Sequence, residues 1–339
     1  MRRVFIPLQA SEPSAPAAQA QSLTLTGASM GSSWHVQLLA DGKHEGAMLE
    51  AGIQQVLDQV VLQMSTWDPA SDLCTYNRTS AGSWQQLSDE FFKVVDYSLY
   101  LSQQTAGAFD ITAGKLVDLW GFGPAGKRTA VPEAQQMQAA IQTAMQAGNW
   151  KALELDHIKR RLLQPGGIAL DLSSIAKGFA VDQVAGFLES LSINSYLIEL
   201  GGELRGLGMK ADWSPWWVAI ESPTAMPGSG QKKEYLVALH ELSVATSGDY
   251  RQFFEQDGRR YPHTLDPRTG YPVDNELASV TVLYSQCMVA DALATALTVL
   301  GGEDGLAYAN QHHIAALFLQ RNGPHLEETM SAALIAMLD

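Results

Sequence analysis

Asp291 and Thr295 lie four residues apart in an apolar run of good helix formers, Met288 to Leu300. On a helix that spacing sets a carboxylate and a hydroxyl on one face. The pair suits a hard cation such as Mg²⁺, which takes oxygen ligands and leaves other positions to water or phosphate. An Asp near a helix start with a Thr on its polar side would look the same, so the reading depends on what else the chain offers. His263, in Tyr261-Pro262-His263-Thr264-Leu265-Asp266-Pro267, is held by prolines just before a reverse turn over 266–270. An imidazole of ordinary pKa, about 6.5, can take the proton of an attacking hydroxyl; it can equally be a hydrogen-bonded structural residue. Thr246-Ser247-Gly248-Asp249-Tyr250 reads as a small-residue turn whose N–H groups could receive a phosphate or merely reverse the chain.

Other polar groups stand at predicted element ends. Asp171-Leu172-Ser173-Ser174-Ile175-Ala176-Lys177-Gly178 reads as a strand giving way to a helix, with Ser173 and Ser174 as cap residues and Lys177 one turn in. A phosphate there would meet helix N–H groups and an ammonium, although an ordinary capped helix would carry the same residues. The glycine spacing of a Walker A loop is missing. Ala108-Phe109-Asp110 sets an apolar wall beside a carboxylate, which fits the polar edge of a heteroaromatic ring or, equally, an Asp capping the next helix. Met30, in the turn Gly27-Ala28-Ser29-Met30-Gly31-Ser32, and Trp67, in Ser65-Thr66-Trp67-Asp68-Pro69, could each cover a flat ring, or be a core Met and a surface Trp.

Periodicity supplies the elements that must hold these groups. Alternating Trp34, Val36 and Leu38 predict the second of two short strands within 23–39. Ile53, Val56, Leu57, Val60, Val61 and Met64 predict a helix over 46–64 that delivers Trp67. Phe91, Val94, Val95 and Leu99 predict another that arrives at the Ala108 loop, and 132–147 a third after a linker over 121–131. A hairpin is predicted over 152–172 about Gln164-Pro165-Gly166-Gly167, and strands over 196–200, 217–220, 235–239, 279–284 and 314–319. Helices are expected over 290–300 and 327–338. Strands outnumber helices without regular βαβ alternation and no repeat of solenoid length is visible, so the class is α+β.

Composition narrows the functions. The 339 residues are 46% hydrophobic, enough for a sizeable core, and the formal net charge of −14 argues against nucleic acid or an anionic membrane as partner. Any phosphate ligand must be held locally. The two cysteines, Cys74 and Cys287, form no disulfide framework and have no metal-ligand spacing. No run is long and apolar enough to predict a transmembrane span. Residues 1–22, rich in Ala, Pro, Ser and Gln after an Arg-Arg start, are expected to be disordered, a possible remnant of a signal peptide. Residues 23–339 are expected to form a single domain.

Taken together, these motifs resemble the ApbE family of FAD:protein FMN transferases from Gly27 to about Gly301. The resemblance is carried by Ala28-Ser29-Met30-Gly31, Gly107-Ala108-Phe109-Asp110-Ile111-Thr112, Leu119-Trp120-Gly121-Phe122-Gly123 and Asp171 through Gly178, then by Gly201-Gly202-Glu203, Thr246 through Tyr250, His263 through Gly270 and Ala290 through Thr295, in the family's order. It implies an α+β fold with a T-fold-like core of mixed, largely antiparallel sheet and packed helices. It implies an enzyme that uses FAD as substrate and Mg²⁺ to attach FMN through a phosphoester to a Thr or Ser of an acceptor flavoprotein, releasing AMP. Acceptors of that kind include subunits of ion-translocating NADH dehydrogenases or related membrane electron-transfer complexes. Carried over by motif, Met30, Trp67, Ala108, Phe109, Asp110, Asp171, Lys177, His263, Thr264 and Leu265 would hold FAD. Asp291, Thr295 and the backbone at Ser174 would hold the metal, and His263 or Asp291 would serve as base, His263 being favoured. A periplasmic location follows from the resemblance alone, since the start shows no lipobox cysteine and only a truncated-looking signal. Where the family often has Tyr, this chain has Trp67, which keeps the ring. A Mg²⁺-dependent FAD pyrophosphatase giving FMN and AMP, and a flavin-binding protein without turnover, are the alternatives.

Overall fold

Alternating apolar residues build an eight-stranded antiparallel sheet. The computed structural model describes residues 2–8, 10–13, 20–126, 128, 131, 133–221, 223, 234–249, 252–256, 259–323 and 325–339. The chain divides into two compact units, and the large sheet belongs to the first: Met1–Gln59, Lys177–Gly248 and Glu276–Asp339. Its strands run in the spatial order His325–Met330, Ala315–Asn322, Leu277–Tyr284, Leu242–Gly248, Glu203–Leu207, Tyr196–Leu200, Ser32–Ala40 and Gln21–Ser29. Leu277–Tyr284 is buried along all but its last residue, as a strand covered on both faces must be. One face is covered by helices: Cys287–Leu300 packs on Leu242–Gly248 and Leu277–Tyr284, and Phe318 approaches Gly305 of the helix Gly302–Gln311. On the alternate positions Val244, Leu283, Leu317 and Leu319 join Trp216, Val218, Tyr235 and Val237 of a smaller three-stranded sheet. The α+β class expected from the sequence is the one observed.

The start of the chain departs from the expectation of disorder over 1–22. Arg2–Phe5 forms a strand parallel to Glu234–Leu239, with Arg2 opposite Glu234 and Phe5 opposite Val237. The physical reason is Phe5, fully buried in the small-sheet core, a burial that contributes about 1.5–3 kcal/mol, while Arg3 pairs with Glu328. The Ala/Pro/Ser-rich stretch 14–19 lies outside the described residues.

Three other expectations are corrected. The first part of the helix expected over 327–338 is instead the end of the strand His325–Met330, whose half-buried Leu326, Glu328 and Met330 alternate with exposed residues. Only Ala332–Ala336 is helical, capped by the Ser331 hydroxyl accepting from Leu334 N–H. Thr246 to Gly248 is no turn but the end of Leu242–Gly248, in register with Ser279 to Thr281; Tyr250 lies outside the described residues. The hairpin of 152–172 reverses before Arg161, not about Gln164-Pro165-Gly166-Gly167: Glu154–Asp156 pairs with Arg161–Gln164, and Asp156 Oδ1 pins the turn by accepting from Ile158 and Lys159 N–H.

The second unit comprises Val60–Ala176 and Asp249–Asn275. Its helices Gly114–Leu119 and Ala134–Gln146 close over a core of Leu116, Trp120, Met137, Ile141 and Leu265. The Trp120 indole N–H donates to Gly270 O at 2.8 Å, and its ring stacks on Tyr261 of the hairpin Phe253–Gln256/Arg259–Pro262. That hairpin leads directly into His263.

Candidate active site

In the first unit two helices meet start to start. Ala176–Ser190 carries Lys177, and Cys287–Leu300 carries Asp291 and Thr295. Neither has a serine or threonine cap. The residue before Ala176 is Ile175, a poor cap type, and Gln286 makes no side-chain cap bond. Each start is capped instead by a carboxylate from the other helix. Gly178 N–H donates to Asp291 Oδ2 at 2.9 Å, while Cys287 and Met288 N–H donate to Asp182 Oδ1 and Oδ2 at 3.0 and 2.9 Å. The orphan donors of a first helical turn attract negative charge, so the two helices exchange caps. Asp182 also pairs with Arg205 at 2.5 Å.

Glycine permits the approach. A Cβ on Gly178 would stand 2.4 Å from the Cys287 carbonyl oxygen and 2.7 Å from Asp291 Cβ. Gly→Ala in a free helix gains about 1 kcal/mol. Here Gly178→Ala is expected to lose about 1–3 kcal/mol by forcing packed elements apart, read as a lower midpoint of denaturant unfolding. An unchanged midpoint would show that the helices separate freely.

The exchanged caps bring charge under cover. The Lys177 ammonium lies 2.5 Å from Glu203 Oε1. Burial works against the ammonium, but the Glu203 and Asp291 carboxylates outweigh it and push the Lys177 pKa up. Burial likewise pushes Asp291 up, opposed by Lys177 and by the Gly178 N–H. Glu203 is pushed up to about 7 by burial, against Lys177 and with Asp291's repulsion adding to it. Thr295 Oγ1 lies 3.1 Å from Ser247 Oγ, so hydroxyls and a carboxylate, all hard oxygen donors, stand on the Asp291 helix and its neighbouring strand. Met30 also belongs to this unit, in a two-residue hairpin turn with φ 51° at Met30 and 70° at Gly31, the left-handed pair that such turns require.

The second unit holds the other predicted residues. Ala108 and Phe109 are buried. Asp110 Oδ1 accepts from both Thr112 N–H and Thr112 Oγ1–H, and Oδ2 from Trp150 N–H; burial nonetheless pushes its pKa up. Asp171 is buried and accepts from Ser173 N–H at 2.9 Å and from the Ser173 hydroxyl. Ser173 is therefore engaged with Asp171 rather than capping a helix, and Ser174 is half-buried just ahead of Ala176. Lys177 thus sits in the first turn of its helix, not one turn in. Thr264 and Leu265 are buried, and Trp67 is 66% exposed. His263 is fixed by one carbonyl: its backbone N–H and its Nδ1 both reach Gln252 O, at 3.1 and 3.0 Å. A carbonyl only accepts, so Nδ1 carries the hydrogen, and in the neutral ring Nε2 is the nitrogen able to take a proton.

The structure brings Lys177 and Asp291 together, since Asp291 accepts from the Gly178 N–H next to Lys177, and sets Thr295 one turn on from Asp291, bonded to Ser247. Asp110, Asp171 and His263 instead each have their own partners within the second unit. Sequence reasoning gave no role to Glu203, Asp182 or Gly178. The only available signal was a glycine in the first turn of a predicted helix, which is unfavourable unless something must come close. Among the described residues, no group of three or more His, Cys, Asp and Glu side chains is placed to hold a metal.

The chain is similar to known proteins over most of its length. The ApbE family model matches residues 30–318. The flavinyl transferase ApbE of Pseudomonas stutzeri, in its apo form, superposes with a TM-score of 0.85 at 39% identity, covering 94% of this chain and 97% of that one. The FAD:protein FMN transferase of Haemophilus influenzae is 38% identical over 88% of this chain and 86% of its own length. That of Vibrio cholerae is 36% identical over 93% and 92%. With most of its length matched by the family model, and by relatives named as transferase enzymes at more than a third identity, the chain belongs to the ApbE family.

Proposed function

We propose that this chain transfers FMN from FAD to a Thr or Ser hydroxyl of an acceptor protein, with Mg²⁺, forming a phosphoester and releasing AMP. The observation that carries this reading is the buried Lys177–Glu203–Asp291 cluster in a member of a family whose relatives are named FAD:protein FMN transferase. Two carboxyl groups and one ammonium stand together there, with the hydroxyl of Thr295 one turn along the Asp291 helix and bonded to Ser247. That donor set suits a hard divalent cation. Asp291 and Thr295, with the backbone at Ser174, would hold Mg²⁺, which when bound would neutralise the pyrophosphate and steady the leaving AMP.

The chain's own residues do the rest. Lys177 offers the pyrophosphate a charge that Glu203 keeps in place. His263, its Nδ1–H tied to Gln252, takes the proton of the acceptor hydroxyl at Nε2. The hydroxyl oxygen bonds to the FMN-side phosphorus, the bond from that phosphorus to the bridging oxygen breaks, and AMP departs with the bridging oxygen. Met30, Trp67, Ala108, Phe109, Asp110, Asp171, Thr264 and Leu265 are assigned to holding FAD. The periplasm as its compartment, and flavoprotein subunits of membrane electron-transfer complexes as acceptors, belong to the same proposal.

The test is to incubate the protein with FAD, Mg²⁺ and an acceptor domain and to look for covalent flavin by in-gel fluorescence. Free FMN and AMP without labelled acceptor would favour hydrolysis instead. A second expectation concerns Trp67, whose exposed indole adds little to folding. Trp67→Ala is expected to leave thermal stability unchanged and to weaken FAD binding by about 0.5–1.5 kcal/mol beyond lost area. Equal FAD affinity by fluorescence titration would remove Trp67 from the flavin site.

A further inference from the structure

Glu203 begins the strand Glu203–Leu207 and is 3% exposed, yet among the described residues only one of its carboxylate oxygens is engaged. Oε1 accepts from Lys177, whereas the buried Oε2 accepts no hydrogen bond of normal geometry from the described residues. Leaving a buried acceptor without a donor costs about 1–3 kcal/mol, more when it is charged, and such an atom in a native fold calls for a reason. Shielding Lys177 requires one oxygen, so it does not explain the second. The loop before Glu203 is also built for closeness. Gly201 has φ 59°, and a Cβ there would come within 2.8 Å of Ser32 Oγ and 3.7 Å of Lys177 Cδ. Lys177, which Oε1 holds, directly precedes Gly178, whose N–H donates to Asp291, so Glu203 is two contacts from the proposed metal ligand.

We propose that Glu203 is a positioning residue for the cation: Oε1 fixes the Lys177 ammonium, and Oε2 accepts a hydrogen bond from the hydration shell of the divalent ion that Asp291 and Thr295 hold. This rests on the metal reading above. Mg²⁺ sheds its waters reluctantly and keeps several of them when bound. Outer partners that accept from such a shell change metal affinity by roughly 10–100-fold.

The experiment titrates Mn²⁺, as a paramagnetic probe, into the full-length chain with FAD and without acceptor, reading free ion by electron paramagnetic resonance. Glu203→Gln keeps the size and an oxygen toward Lys177 but presents a donor where Oε2 accepted. With FAD held at saturating concentration, so that any weakening of FAD binding through Lys177 does not enter, it is expected to raise the Mn²⁺ Kd roughly 10–100-fold. Glu203→Asp, which keeps the charge but withdraws it by one methylene, is expected to lose part of that affinity and keeps the question decidable if the glutamine variant does not fold. Wild-type Mn²⁺ affinity in the variants would overturn the inference alone. Absence of Mn²⁺ binding by the wild-type protein would overturn the metal reading and the inference together, and it would appear in the wild-type arm.

Discussion

Asp291→Asn is expected to lower FMN transfer by about 10²–10³, the loss that follows removal of a group aimed at developing charge, while the protein remains folded. Asparagine still presents an oxygen to the Gly178 N–H, so the exchanged cap survives and only the charge is lost. Asp291→Ala removes both, and the missing cap is expected to cost a further 0.5–2 kcal/mol, about the usual range. Part of that is offset because the buried carboxylate, its pKa pushed up by burial, no longer has to be desolvated. The measurement is covalent flavin on the acceptor as a function of Mg²⁺, beside a denaturant unfolding curve for each variant. Wild-type transfer by the asparagine variant at limiting Mg²⁺ would remove Asp291 from the metal site and leave it a helix cap.

His263→Ala is expected to lose about 10²–10⁴ in turnover, the contribution of a positioned general base, with FAD binding retained. A Thr hydroxyl is a weak nucleophile at neutral pH, and the Gln252 carbonyl holds the imidazole in the tautomer that leaves Nε2 as the acceptor. Binding and chemistry therefore separate in steady-state kinetics: kcat falls and the KM for FAD does not. A raised KM with kcat intact would make His263 a binding residue. Asp291 would then be next in line as base.

Elements with a strong period were legible in the chain. The helix Gly46–Met64 and the hairpin Gln21–Ser29/Ser32–Ala40 stand where alternating and helical apolar spacings put them. Thr246 to Gly248 misled because small polar residues signal a turn locally, whereas pairing with Ser279 to Thr281 is decided by a distant strand. The segment 327–338 contains helix formers, but a partner strand and a half-buried alternate face overrode propensity. In the site, the Asp291/Thr295 spacing could be read because four residues on one helix share a face. The caps could not, because Asp291 meets Gly178 across 113 residues and Asp182 meets Cys287 across 105. Glu203 is legible in sequence only as an acid after two glycines; its buried, half-engaged carboxylate exists only in the fold.

The exchange of caps between Ala176–Ser190 and Cys287–Leu300 also governs how this part of the molecule opens. An ordinary helix start frays by itself, with a local free energy well below that of global unfolding. Here fraying of either first turn also breaks its hydrogen bonds to a carboxylate rooted in the second turn of the other helix. The amides of Gly178, Cys287 and Met288 are therefore each held closed by the helix opposite, although they are far apart in the chain. Lys177 sits in one first turn and Asp291 opens the second turn of the facing helix, so their separation depends on the pairing of the two helices and not on the side chains alone.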